Sequence, residues 1–318
     1  MRVLITGGAG FLGSHLARRL VAGGHKVILF DNFASAIQQD WRGLEQHPTL
    51  IAGDILDLSH LIRVVKEHSV QRIVHTAAIV GVPASLERPL YTARVNIEGS
   101  LNVFEAARLL AVERVVDISS EEVYGAFTAD TVTEDHPQNP ISPYGITKAA
   151  VERFGNHYAR HYDLPYVAVR LSWVYGPGFP RPRIPRSWVE DALLGRRTVL
   201  RKGGDHRIDF TYVDDAVEGL RLVLEAPSLE HNAYNVASGQ APTLLGLAAQ
   251  LRELIPSWEY EIGPGLLEQV PGWIAPRKGA LDISRISREL NYRPVYDLKT
   301  GLSLYLKSVQ RDLGVGNP

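Results

Sequence analysis

The chain contains no cysteine. That absence excludes disulfides, iron–sulfur clusters, cysteine zinc sites and a thiol nucleophile, and no metal site is expected. Net charge is also scarce. Lysine plus arginine number 34 and aspartate plus glutamate 35, so no basic field draws nucleic acid and no long like-charge block occurs. The densest cationic run, Arg181-Pro182-Arg183-Ile184-Pro185-Arg186, suits one diphosphate better than a duplex. No apolar run approaches membrane-spanning length, and the first residues read as a core strand rather than a leader. The expectation is a cytoplasmic protein with no membrane and no nucleic-acid partner. Repeats and low-complexity tracts are missing too. What the chain has is apolar content: 45% of its 318 residues are hydrophobic, enough for a large core in one large or two moderate domains.

The organising stretch lies at the front. Val3-Leu4-Ile5-Thr6 runs into Gly7-Gly8-Ala9-Gly10-Phe11-Leu12-Gly13, and apolar residues then resume at helical spacing with Leu12, Leu16 and Leu20. This predicts strand, tight turn and helix. Glycine lacks a Cβ, so such a turn can approach an anion closely, while free N–H groups at the helix start supply partial positive charge. The turn is suited to a diphosphate. Gly8, Gly10 and Gly13 fit G-x-G-x-x-G, and Gly7, Gly10 and Gly13 equally fit G-x-x-G-x-x-G. Asp31 ends a second strand, Lys26 to Phe30, where a carboxylate can accept both ribose hydroxyls and repel a 2′-phosphate. The expected cofactor is NAD rather than NADP.

Strands and helices then alternate, as a doubly wound parallel α/β sheet requires. Asp54, after the apolar Leu50-Ile51, can accept the adenine amino group; capping of a helix from Leu58 to His68 by Asp54 or Asp57 is the alternative. The strand Arg72 to His75 ends in Thr76-Ala77-Ala78, whose small side chains let a flat cofactor lie on the backbone, with His75 packed in the strand. A helix from about Tyr91 to Ala111 carries Asn96. The strand Arg114 to Ile118 delivers Ser119-Ser120-Glu121-Glu122 to the carboxyl edge of the sheet, where open α/β folds bind ligands. Ser142 and Pro143 begin a helix that sets Tyr144 and Lys148 at i and i+4, about 6 Å apart along one face. A free phenol titrates near 10, so one acting as base at neutral pH needs neighbouring cations, which a lysine and an oxidised nicotinamide can supply. Ser120 would hydrogen-bond the same substrate oxygen. Beyond Leu171 the pattern changes to proline-, arginine- and tryptophan-rich loops, implying a smaller substrate-binding portion, with helices at Ser187 to Leu194, Asp214 to Glu225, Leu244 to Leu254 and Leu298 to Val309. Asp214 and Asp215 read as helix-start residues.

Together these segments, with Phe210-Thr211-Tyr212-Val213-Asp214-Asp215 later on, resemble the extended short-chain dehydrogenase/reductase superfamily, and within it the NAD-dependent epimerase/dehydratase family. The resemblance runs over nearly the whole chain. It implies a Rossmann-like domain over 1–172, with later returns near 208–240, and a smaller C-terminal substrate-binding domain over 173–318. It implies that Gly7, Gly10, Phe11, Leu12, Gly13, Asp31, Asn32, Asp54, Ile55, Ala77, Ala78 and Asn96 hold NAD. Tyr144 would take a hydroxyl proton as hydride leaves, Lys148 would hold the nicotinamide ribose, and Ser120 would orient the substrate. Ser85, Trp173, Arg207 and Arg277 fall at substrate-binding positions. Two departures stand out: Trp173 replaces a usual asparagine, and Ile208 a diphosphate-binding arginine. After Ser120, the pair Glu121-Glu122 resembles the aspartate–glutamate pair of nucleotide-sugar dehydratases, although strand alternation would aim only one of them at the substrate. The implied activity is 4-epimerisation of a nucleotide sugar. Elimination or decarboxylation on such a substrate, net dehydrogenation of a free sugar or sugar acid, and cofactor binding without catalysis are the alternatives. A homodimer through the helices near Tyr91 to Ala111 and Tyr144 to Tyr162 is implied by the same resemblance.

Overall fold

A computed structural model describes residues 1–37, 41 and 43–315; part of the polar segment after Asp31 lies outside them. Strand β1 (Arg2–Thr6) is followed by α1 (Phe11–Ala22), β2 (Lys26–Asp31), β3 (Thr49–Ala52), α2 (Leu58–Glu67) and β4 (Arg72–His75). Next come α3 (Val82–Glu87), α4 (Pro89–Ala93), α5 (Gly99–Leu109), β5 (Arg114–Ser120), the short β6 (Thr131–Val132), α6 (Pro143–Tyr162) and β7 (Tyr166–Leu171). The later part carries β8 (Trp173–Tyr175), α7 (Arg186–Leu193), β9 (Thr198–Leu200), β10 (Phe210–Tyr212), α8 (Val213–Glu225), β11 (Ala233–Val236) and α9 (Leu244–Leu254). Strands β12 (Tyr260–Ile262), β13 (Glu268–Val270), β14 (Trp273–Ile274) and β15 (Ala280–Leu281) precede α10 (Ser284–Leu290) and α11 (Leu298–Leu313).

Seven strands form one parallel sheet in the order β11-β7-β5-β4-β1-β2-β3. Alternation along each strand divides the core between its faces. Val3, Ile5 and Leu29 pack with Leu16 and Leu20 of α1 and with Val217 and Leu220 of α8, whereas Leu4, Ile28 and Phe30 pack with Leu61, Phe104 and Val151 of α2, α5 and α6. Both faces are covered, which is why the strands read as unbroken apolar runs. The chain starts in the middle, winds out to β3, then crosses back to β4. The reversal between β1 and β4 opens a crevice at the carboxyl ends of the strands.

Caps set the helix starts. Asp57 accepts a hydrogen bond from His60 N at 2.9 Å and caps α2, whereas Asp54 accepts from Leu56 N at 2.9 Å and faces the crevice. Ser142 accepts from Gly145 N at 3.0 Å and caps α6, with Pro143 in its first turn. The helix predicted from Tyr91 to Ala111 is interrupted: between α4 and α5 the backbone widens into a π turn, Arg94–Glu98. That turn carries Asn96 inward, as such bulges do when they re-aim a side chain. Beyond Leu171, β8 pairs with β10, β9 with β12, β13 with β14 and β15 with β6, and among the described residues only β11 rejoins the main sheet. Among the described residues no helix is long and apolar enough to cross a membrane.

Candidate active site

The crevice is a cavity of about 310 Å³ that runs from the glycine turn to the β8–α7 loop. Its floor shows why glycine is needed at two positions. Gly7 has φ +66°, and a Cβ there would lie 2.7 Å from Ala77 N; a Cβ on Gly13 would lie 2.5 Å from Gly7 O. Gly10 N donates to Gly7 O at 3.0 Å and Gly10 precedes α1, so the G-x-x-G-x-x-G spacing is the one that shapes the wall. Gly8 instead turns towards Leu29. Asp31 ends β2 almost fully buried, its carboxylate held by Ala9 N at 2.9 Å and Phe33 N at 2.7 Å. Each oxygen keeps a lone pair for a further donor. Asn32 donates to Asp54 at 3.0 Å, and both line the cavity with Ile55, Phe11, Leu12, Ala77 and Ala78. A Cβ-free cradle at a helix start, followed by a fixed carboxylate, fits the diphosphate and ribose of a dinucleotide.

At the other end, β5 and α6 bring Ser120, Tyr144 and Lys148 to the same wall. Lys148 Nζ donates to Ile118 O at 2.6 Å, which anchors the ammonium beside the strand end and leaves two protons for other acceptors. Ser120 accepts from Glu122 N at 3.2 Å, and its own hydroxyl proton remains available. Behind them Asn96 is buried, accepting from Ile79 N at 2.7 Å and donating to Ile79 O and Thr147 Oγ1, each at 3.0 Å. Its side chain therefore clamps the loop after β4 onto α6 instead of reaching the cavity wall. His75 is buried between Thr6 Oγ1 at 2.7 Å and Ser100 Oγ at 2.8 Å; burial first, and then Lys148, pull it down to about 3, so it is a neutral packed residue.

The two glutamates correct the strand-based expectation. At Glu121 the backbone leaves the strand and tightens into a 3₁₀ turn, Glu121–Tyr124, so neighbouring side chains are no longer opposed and both line the cavity. Glu121 accepts from Ser172 Oγ at 3.2 Å. Glu122 pairs with the buried Lys278 at 3.3 Å. Burial pushes Glu121 up to about 7; Lys278 opposes the rise, and Glu122 and Asp209 add to it.

Other substrate-binding expectations separate. Trp173 lines the cavity and also packs edge-on against Phe210, its neighbour in the β8–β10 pair. Ser85 is fully buried and donates to Val82 O at 2.8 Å, away from the wall. Arg207 reaches Ala241 O at 2.9 Å, and Arg277 is held by Phe127 O and Asp130; neither lines the cavity. Arg181 and Arg183 line it instead. Their cationic run was visible in the sequence, but nothing in the spacing said which arginines turn inward. Lys278 had no sequence signal, because its partners are over 150 residues away.

Residues 3–237 match the sequence profile of the NAD dependent epimerase/dehydratase family. The chain is 32% identical over 310 residues to a UDP-glucose 4-epimerase of Mycolicibacterium smegmatis, covering 95% of this chain and 96% of that one. Among solved structures it superimposes on a UDP-glucose 4-epimerase from Thermotoga maritima with UDP-glucose, at a TM-score of 0.88 and 29% identity, covering 98% of this chain and 100% of that one. It also superimposes on DesIV, a dTDP-glucose 4,6-dehydratase from Streptomyces venezuelae with NAD bound, at a TM-score of 0.87 and 28% identity, covering 99% and 98%. With the glycine cradle, Asp31 and the Ser120, Tyr144 and Lys148 constellation on one cavity, the chain belongs to the NAD-dependent epimerase/dehydratase family.

Proposed function

We propose that the protein is an NAD-dependent epimerase that inverts C4 of a nucleotide sugar. The observation that carries this is the meeting of Ser120, Tyr144 and Lys148 on the cavity that begins at the Gly7, Gly10 and Gly13 cradle. Gly7, Gly10, Gly13 and Asp31 would hold NAD, which supplies a reversible hydride acceptor. Tyr144 takes the proton of the sugar hydroxyl and later returns it. Ser120 Oγ donates to the same oxygen and orients it. Lys148, anchored on Ile118 O, would hold the nicotinamide ribose with its remaining protons. Inversion follows when the keto sugar presents its other face before reduction, so no external redox partner is consumed. Incubating the NAD-loaded protein with UDP-glucose or UDP-galactose, and following their interconversion, tests the reading.

One observation favours a second reading, elimination of water. Glu121 and Glu122 both line the wall, the first raised by burial to about 7 and the second paired with Lys278, a division suited to general acid and base. Epimerisation leaves that pair without a proton to move, and solvent deuterium separates the two reactions.

The same reading makes the protein a homodimer. Leu109 beyond the π turn and Phe154 and Tyr162 on α6 are exposed apolar side chains on the two helices that would form a four-helix contact.

A further inference from the structure

Arg181 and Arg183 point two guanidinium groups at the cavity with nothing to hold. They sit on the loop between β8 and α7 and line the wall, and neither side chain has a hydrogen-bond or ion-pair partner among the described residues. The third arginine of the run behaves differently. Arg186 pairs with Glu190 at 2.6 Å and also bonds Phe179 O, which fixes the start of α7. The inward pair faces the reacting end: both lie in the field of Tyr144, and Arg183 also in that of Glu122. Arg183 is seated against Gly81, where a Cβ would come within 2.3 Å of Nη2 and 2.8 Å of Nη1, so the absence of a side chain at 81 makes its place.

Two neighbouring cations in a half-buried wall repel each other and lose hydration. Burial pushes both down, Arg183 to about 10, with Arg181 adding to the fall at Arg183. An anion between them would offset both costs through charge-assisted, bidentate hydrogen bonds. No protein carboxylate fills that role, since Glu122 is engaged by Lys278. The arginines at the expected diphosphate positions, Arg207 and Arg277, are turned elsewhere.

We propose that Arg181 and Arg183 form the subsite for an anionic oxygen group of the substrate, a carboxylate on the sugar or the diphosphate attached to it. The inference rests on the reading that a sugar lies beside Tyr144. It names the chemistry that substrate must carry.

The test is calorimetric titration of NAD-loaded wild type, Arg181→Gln and Arg183→Gln with four probes: UDP, UDP-glucose, UDP-glucuronate and free glucuronate. Each variant is expected to weaken at least one probe by about tenfold to a hundredfold while affinity for NAD stays within about twofold. A loss confined to the two glucuronates assigns the subsite to a sugar carboxylate. A loss shared by UDP, UDP-glucose and UDP-glucuronate assigns it to the diphosphate. Arg183→Lys, which keeps charge and stem but not the planar fork, is expected between wild type and Arg183→Gln, and it carries the test if glutamine unfolds the loop. Free glucuronate binding wild type and weakening in the variants, with no binding of UDP or UDP-sugars, keeps the subsite and removes the nucleotide-sugar reading. Unchanged affinities in the variants, or no binding of any of the four probes to wild type, overturns the proposal.

Discussion

Lys278 Nζ lies 3.3 Å from Glu122 Oε1, and both side chains are almost wholly withdrawn from solvent. The ammonium also donates to Glu121 O at 3.4 Å, so a lysine far along the chain fixes the turn that carries both glutamates. Removing one member of such a buried pair leaves an uncompensated charge and costs about 3–5 kcal/mol. Lys278→Met is therefore expected to destabilise the fold far more than Glu122→Gln with Lys278→Met together, a difference that urea midpoints of the single and double variants measure.

Tyr144→Phe removes the titratable phenol and little volume. Turnover should fall by several orders of magnitude while NAD affinity and melting temperature stay close to wild type. Retention of wild-type turnover would exclude Tyr144 as the base.

Asp31→Ala takes away the carboxylate that Ala9 N and Phe33 N hold in place. NAD should bind more weakly and the gap between NAD and NADP should narrow, as followed by fluorescence titration. Tighter binding of NADP than NAD by the wild type would contradict the assignment.

Solvent deuterium decides between the two chemistries. Epimerisation at C4 returns an internal hydride and leaves the product free of deuterium, whereas elimination passes through an acidified C–H and takes deuterium from water. The expected product carries none. If wild type incorporates deuterium and Glu122→Gln abolishes it, the protein is a dehydratase.

Glu121 gives the stability a pH dependence of known sign. Burial raises its folded value from the usual 4.5 to about 7, so the protonated carboxyl favours the fold. The contribution is complete below about pH 4.5 and is lost as pH rises through about 7, a change on the order of 3 kcal/mol. Urea midpoints of Glu121→Gln should be flatter than wild type across that window; parallel curves would count against it.

Local patterns were enough for the sheet, most helix ends and the placing of the glycine turn and Asp31 on the cavity wall, because each depends on residues close in sequence. The Gly7 to Gly13 turn, Asp31 at a strand end and the Tyr144 to Lys148 spacing are of this kind. The π turn at Asn96 was hidden, since one extra residue only shifts the phase of the apolar pattern, and α4 before it, with 5 residues, is too short to show the shift. Strand alternation failed at Glu121 because the chain stops being a strand there. Arg207 and Arg277, at positions inferred for anion binding, lie off the cavity for another reason. Their side chains are long enough to choose between partners on different loops, and Ala241 O and Asp130 take them.

Strand β11 joins the sheet beside β7, about 60 residues after Leu171, and so delays completion of the sheet during synthesis. Until residues 233–236 leave the ribosome, β7 is a free edge of apolar Val167, Val169 and Leu171, the kind of edge that recruits other chains. A fragment ending at residue 172 would keep that edge permanently and is expected to aggregate, whereas one extending through α8 and β11 closes it. The sequence between Leu171 and Ala233 thus does its work in time as well as in space: it sets how long a nascent chain must be shielded.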